Sequence, residues 1–570
     1  MNRLLVVPFL FFLLIGTVFS QAEEPPELLW RRALGGGVSG YPAQGPNGDV
    51  YVVAADRALH SVDPATGRLN WTYRPGGRLR NFLAVAPDGT IYIQNDRLEL
   101  YAVTPGGTGR WRLNLDAAAS VLPAVAPDGR LILALTGGDL VCLSRRGRIL
   151  WTRTMSADAA AAPVVDGTGT VWVPVTDGRI LSFDSGGGEG RVFSVGWVIS
   201  VLAADETGRF WVGGINGRVA VFHPGADEAE PELALNAGTS RVLAILSLDE
   251  GMAVFLADGS VVFRGERSGI GALGGTPSVS AAGTLYVPAA DGSLRVLGDF
   301  ENGEGGMNPS RLTIGGTLGE PLLTRDGILI AGGSDWTLRG WKGERPGSGW
   351  SQLRGGAARD GGLSAVRLEP DREDLRRNAD FFFRERMARS NDLDQRMQLL
   401  QELEAFPGEA AMLEALPWAG LLLEDLAAAG TLRQTVSGGP GLSHPTVRAR
   451  AYGLLAMSED FRSRRFLLAC LEQEDDPTAL AAGFLALAEV GSDWDGESMR
   501  LIAGKMAGMS APSESLILTA LRAIERLVHY NGGFTDSSGA AFTSGILERP
   551  LSASGRREAM DVVSRMAGLR

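Results

Sequence analysis

The sequence predicts β structure followed by α structure: an eight-bladed β-propeller, then an α-helical domain of solenoid type. Three observations predict it. Tryptophans recur at an interval of 40 residues, a glycine-plus-strand phrase recurs eight times, and after a glycine-rich stretch at 350–370 helix-forming residues replace the strand pattern.

The tryptophans are Trp71, Trp111 and Trp151, and each closes the same kind of phrase: "TGRLNW", "GTGRW" and "RGRILW". Their interval is the length of one four-stranded propeller blade. The second phrase is a glycine, one variable residue and an apolar strand. It reads "GDVYV" at Gly48, "GTIYI" at Gly89, "GRLIL" at Gly129, "GTVWV" at Gly169, "GRFWV" at Gly208, "GMAVF" at Gly251, "GTLYV" at Gly283 and "GILIA" at Gly327. A turn signal follows each copy: Asp56-Arg57, Asp96-Arg97, Gly137-Gly138, Asp177-Gly178, Asn216-Gly217, Asp258-Gly259, Asp291-Gly292 and Asp335-Trp336. Asp-Gly and Asn-Gly supply the positive torsions of a tight hairpin, so each copy reads as strand, two-residue turn, strand. Flanking apolar runs complete four strands, and short strands at even spacing with punctual glycines predict a propeller.

A ring of blades must be closed. "LLWRRAL", Leu28 to Leu34, resembles an outer strand ahead of the first full repeat, while the eighth repeat ends at "TLRGWKGER" with no fourth strand. The N-terminal strand is therefore expected to complete the eighth blade.

A chain of 570 residues exceeds one ordinary core, which agrees with two regions. The net charge of −12 argues against a nucleic-acid partner, which needs concentrated basic surface. Residues 1–20 read as a signal peptide: Arg3, the apolar run "LLVVPFLFFLLIGTVF", and Val18-Phe19-Ser20 at the cleavage positions. The run is shorter than the ~20 residues a spanning helix needs. The mature chain is expected to be exported, periplasmic or extracellular, with no membrane span after cleavage. Cys142 and Cys470 lie in different regions and read as small core residues rather than a disulfide framework.

The expected organisation is a signal peptide at 1–20, the propeller at 21–349, a glycine-rich boundary at 350–370 and helices over 371–570. Pro445, Pro477 and Pro512 each follow a polar residue within two positions and are expected at the first helical position, where proline loses no needed hydrogen bond. In the first of these helices Val447, Ala451, Leu454 and Leu455 share one face.

Chemistry-bearing patterns are sparse. The four histidines, His60, His223, His444 and His529, are scattered, and neither a His-Glu-x-x-His helix, a Cys-x-x-Cys pair nor a Gly-x-Ser-x-Gly elbow occurs. "GIGALG", Gly269 to Gly274, fits a dinucleotide fingerprint but precedes another strand pair, so it reads as an interblade loop. The "NWT" sequon at Asn70 overlaps the periodic tryptophan and reads as chance. Asp56, Asp96 and Asp177 are accounted for by their turns. No residue is assigned a catalytic, cofactor-binding or metal-binding role, and no cofactor is expected.

"HSVDPATGRLNW", "YAVTPGGTGRW" and "VCLSRRGRILW" resemble the tryptophan-docking repeat of PQQ-type β-propellers over residues 28 to about 361. "WSQLRGGAARDGG", Trp350 to Gly362, is similar to a segment common in such proteins. "HPTVRARAYGLLA" and "DPTALAAGFLALAEVG" resemble HEAT-type helix pairs within 440–530. The first resemblance implies one of two branches: quinoprotein dehydrogenases, with a quinone and calcium on the propeller axis, or non-enzymatic proteins such as the BamB-like outer-membrane assembly scaffold. The dehydrogenase branch implies adjacent cysteines and long insertions between blades. This chain has no Cys-Cys pair, and its blades are near minimal length. The expectation is a non-enzymatic protein-interaction scaffold whose partners are one or more cell-envelope proteins. A BamB-like assembly component and a PQQ-dependent dehydrogenase are the alternatives.

Overall fold

Among the described residues, thirty-two strands assort into eight four-stranded antiparallel sheets, each built from consecutive strands except the last. The computed structural model describes residues 25–346 and 379–567, apart from 39, 206–207, 224–230, 232, 249–250, 299–309, 314–318, 391, 407–411, 413–415, 417–418, 430–443 and 458–462. Residues 1–20, the boundary at 350–370 and the Trp350–Gly362 segment therefore lie outside the described residues.

Blade 1 shows the common plan, with strands Ala43–Gln44, Val50–Ala54, Ala58–Val62 and Leu69–Tyr73 from axis to rim. Every residue of its two middle strands is buried, because neighbouring blades cover both faces, and such strands read as near-continuous apolar runs. Its outer strand is only partly covered. The eighth sheet closes the ring as expected: Leu28–Ala33 pairs antiparallel with Thr337–Lys342, with Trp30 opposite Gly340 and Ala33 opposite Thr337.

The second-to-third-strand turns differ from the two-residue form expected of them. In blade 4, Val175 and Arg179 pair across three residues, and only Gly178 has a positive φ, +87°. The preceding aspartate stays out of the left-handed region and accepts the Arg179 amide on its side chain at 3.1 Å. Ser260, Ser293 and Thr337 amides are held in the same way by Asp258, Asp291 and Asp335. The aspartate is thus selected as a local hydrogen-bond acceptor rather than for backbone torsion. A two-residue turn with both torsions positive occurs elsewhere, at Arg264 and Gly265 in blade 6.

The periodic tryptophans staple successive blades. The indole N–H groups of Trp30, Trp71, Trp111 and Trp151 donate to the carbonyls of Pro64, Pro105, Arg145 and Ser185 at 2.7–3.0 Å, always 34 residues ahead. Each acceptor lies in the third-to-fourth-strand turn of the next blade. There the ring covers a glycine with positive φ. A Cβ on Gly107 would stand 2.6 Å from the Trp71 ring, so glycine is required both for its torsion and for the close approach.

The described helices are α1 (Ala379–Ala388), α2 (Leu393–Glu404), α3 (Ala419–Ala427), α4 (Pro445–Met457), α5 (Ser463–Glu472), α6 (Pro477–Val490), α7 (Glu497–Gly508), α8 (Glu514–Asn531), α9 (Ser537–Ser544) and α10 (Ala553–Ala567). From α4 onward alternate helices stack: α4 on α6, α6 on α8 and α8 on α10, with α5, α7 and α9 forming a second row. One apolar core runs through them from Phe381 to Met566. Pro445 and Pro477 open their helices as expected, and Asp476 caps the second by accepting the Thr478 and Ala479 amides. Pro512 does not open α8. It lies one residue before Ser513, which is the N-cap and accepts the Leu516 amide.

Candidate functional site

Strands in a blade alternate in direction, so first-to-second and third-to-fourth-strand turns share one rim of the ring. Second-to-third-strand turns and blade-to-blade crossings share the other. The helical region is seated on the first rim, over blades 2 and 3. The C-terminal end of α8 reaches the turns there, and backbone meets backbone: a Cβ on Gly106 would lie 2.4 Å from the Gly532 Cα.

Tyr530 is the centre of this junction. Its hydroxyl donates to Asp88 Oδ2 at 2.9 Å and lies 3.1 Å from Thr90 Oγ1. Arg110 Nη1 is 3.4 Å from the same hydroxyl and 3.3 Å from Asp88 Oδ2, and its guanidinium stands over the Tyr530 ring, 5.3 Å from the centroid. Arg145, fully buried, places Nη1 3.4 Å from Asp88 Oδ2. At the edge, half-buried Arg146 pairs with Glu489 of α6 at 2.9 Å.

Burial alone would raise the Asp88 pKa, but Arg145, Arg110 and the Thr90 hydrogen bonds together hold it below the ordinary carboxylate value. The Tyr530 phenol is pushed up to about 12, first by burial and then by the Asp88 charge. At neutral pH the junction therefore holds a carboxylate that accepts and a phenol that donates. Beside it opens a cleft of about 530 Å³, whose lining includes Thr104, Thr108, Glu525, His529, Tyr530 and Arg565.

The opposite rim has a different character. Trp336 is 59% exposed at a positive φ of 65°, and Ile215 and Val198 are exposed on blade 5. A smaller cleft of about 290 Å³ is shared by blades 1, 2 and 3, with Tyr41, Arg80, Asn81 and Ser120 in its lining.

The aspartates considered in the sequence stay apart. Asp56 holds His60 at 3.1 Å, Asp96 accepts the Arg78 amide at 3.0 Å, and Asp177 binds Arg179, each in its own blade. "GIGALG" runs from the last residue of a strand, Gly269, into a loop that leads to the strand Ser278–Val279. Cys142 and Cys470 are both buried and not joined in a disulfide, and burial pushes the Cys142 thiol up to about 12.

A quinone and calcium on the axis would need carboxylate and other oxygen ligands there. The described innermost strands of the eight blades carry mostly Ala, Val, Leu, Ile and Ser, with Gln44 and Asn81 as their amides, Arg80 as their one charged residue and no carboxylate. That donor set does not fit the group. Among the described residues no three His, Cys, Asp or Glu side chains gather as a metal site.

A family model described as outer membrane protein assembly factor BamB matches residues 16–120 and 96–329, more than half of the chain. The chain belongs to this family. No curated protein matches it. Solved structures similar to it include BamB from Moraxella catarrhalis, at 16% identity and a TM-score of 0.46, and the computationally designed Ika8 protein, at 16% and 0.48. Saccharomyces cerevisiae Sqt1 is similar at 12% and 0.47. Each comparison covers 56% of this chain and 100% of the other. Asp88, Arg110 and Arg145 lie inside the family match, whereas Tyr530 and all of the described helices lie beyond its end at residue 329.

Proposed function

We propose that the chain is an exported, non-enzymatic protein-interaction scaffold of the bacterial cell envelope, in which propeller and helices act as one body with two binding surfaces. The observation that carries this reading is the seat of Tyr530 on Asp88. Buried charge-assisted hydrogen bonds of this kind hold two modules in a fixed relation, so their free surfaces meet a partner in one geometry. Surfaces held together can raise affinity by ~10² or more when both are reachable at once.

The family description, an outer-membrane assembly factor, supports an envelope setting. The apolar start of the sequence supports export. No described helix is long and apolar enough to cross a membrane. The alternate stacking of α4, α6, α8 and α10 supports a HEAT-like reading of the helical surface. The test is crosslinking of the full mature chain in its native envelope, with the crosslinked positions mapped by mass spectrometry. The expected result is one partner joined both to the rim carrying Trp336 and Ile215 and to the helices. Recovery of outer-membrane assembly components would favour a BamB-like role. Absence of any partner, together with a quinone absorbance on the purified protein, would overturn the reading in favour of a dehydrogenase.

A further inference from the structure

Asp88 is heavily subscribed. It accepts the Thr90 amide on one oxygen, while the other receives the Tyr530 hydroxyl and the Arg110 guanidinium. Arg145 shares that second oxygen only as an ion pair at 3.4 Å. Its Nε, Nη1 and Nη2 atoms, all buried, make no hydrogen bond, and neither does the buried hydroxyl of Tyr92. Arg145 and Tyr92 meet on the same indole: the Trp111 ring lies 5.8 Å from the Tyr92 ring, and its N–H donates to the Arg145 carbonyl at 2.8 Å. Buried polar groups in folded proteins are almost always satisfied, and a buried guanidinium with unused donors calls for an acceptor.

We propose that a small inorganic anion of the halide type binds at this junction, between the Arg145 guanidinium and the Tyr92 hydroxyl, beneath Tyr530. A monatomic anion accepts several hydrogen bonds without strict direction, and it supplies the charge that Arg145 must otherwise share with Arg110 through one carboxylate. A water molecule would supply acceptors but no charge. Tyr530 both closes the cluster from the helical side and lines the neighbouring cleft, so its ring stands between the site and solvent. The bound anion reinforces the seat on which α8 rests, which makes docking of the helices sensitive to the surrounding anion. The site does not depend on the identity of any partner.

The test uses the full mature chain at constant ionic strength, with chloride or bromide exchanged against gluconate. A saturable rise in melting temperature with halide is expected, because a ligand that binds only the folded state stabilises it by mass action. A bromide-soaked crystal is expected to show an anomalous peak between Arg145 and Tyr92. Tyr92→Phe keeps the ring and removes one donor, and should weaken the apparent halide affinity about tenfold. Arg145→Met should abolish the halide response; if that variant does not fold, Tyr92→Phe still decides. Equal melting temperatures in halide and gluconate overturn the proposal. So does a water in place of the anomalous peak, or a halide response unchanged by Tyr92→Phe.

Discussion

The seams of blades 1 to 4 and those that follow are held by different devices. From Trp30 to Trp151 each seam has an indole that reaches the next blade 34 residues ahead and covers a glycine there. In blades 4 and 5 a tryptophan stands on the second strand instead. Trp172 and Trp211 donate to Asp166 and Asp205, six residues earlier in their own blades. The seam between blades 4 and 5 is filled instead by an aromatic cluster: Trp172 lies 5.6 Å from Phe193 and 5.1 Å from Phe210, and Phe193 lies 4.9 Å from Phe222. One ring geometry is thus satisfied either by a directional staple repeated at a fixed interval or by local packing of large apolar faces. Only the first leaves a period in the sequence.

The largest effect should come from removing the strand that closes the ring. Deletion of residues 21–36 takes away Trp30 and the whole outer strand of blade 8, and should cost about 5 kcal/mol or more, read as a melting temperature lower by roughly 10 °C. An unchanged melt would show that the eighth blade does not need it. Next come the staples themselves. Trp151→Ala, at 7% exposure, should cost ~3 to 5 kcal/mol in chemical denaturation, and the half-buried Trp71→Ala less. Trp211→Ala, half-buried and bonded within its own blade, should cost least of the three; a larger loss than for Trp151→Ala would break the distinction between the two kinds of seam.

Gly106→Leu acts on the junction alone. Its Cβ would meet the Gly532 backbone, so the helices should lift from the rim while the blades stay folded. Rapid amide exchange at the end of α8, with slow exchange retained in the strands, is the expected signature. Tyr530→Phe is gentler, about 1 to 2 kcal/mol.

The pH profile tests the same contact from both sides. Asp88 has a depressed pKa, so its contribution is complete above the ordinary value of 3.8 and is lost as the pH falls through the folded value below that. Tyr530 has a raised pKa, so its contribution is complete below 10.0 and is lost as the pH rises toward about 12. Tyr530→Phe should remove the alkaline loss, as followed by docking-sensitive fluorescence between pH 9 and 12.

The ring was legible from residues that repeat. Glycine, aspartate and tryptophan mark each of the early blades, and the lone "LLWRRAL" revealed the closure. The turn geometry was not legible, because Asp-Gly suits both a two-residue and a three-residue hairpin. The junction was hidden for a different reason. Asp88 and Asp128 occupy the same place in "VAPDG" of consecutive repeats, yet Asp128 holds only its neighbour Arg130 at 2.7 Å. What distinguishes Asp88 is a tyrosine 442 residues away, and no local pattern reports a contact of that separation.

Whether helices and propeller bind a partner as one body is measured most directly by comparing partner capture by the native chain and by Gly106→Leu. Crosslinked capture of one envelope partner, quantified at equal chain concentration, should fall ~10-fold or more in the variant, with crosslinks to one of the two surfaces lost. Equal capture and an unchanged crosslink map would contradict the account.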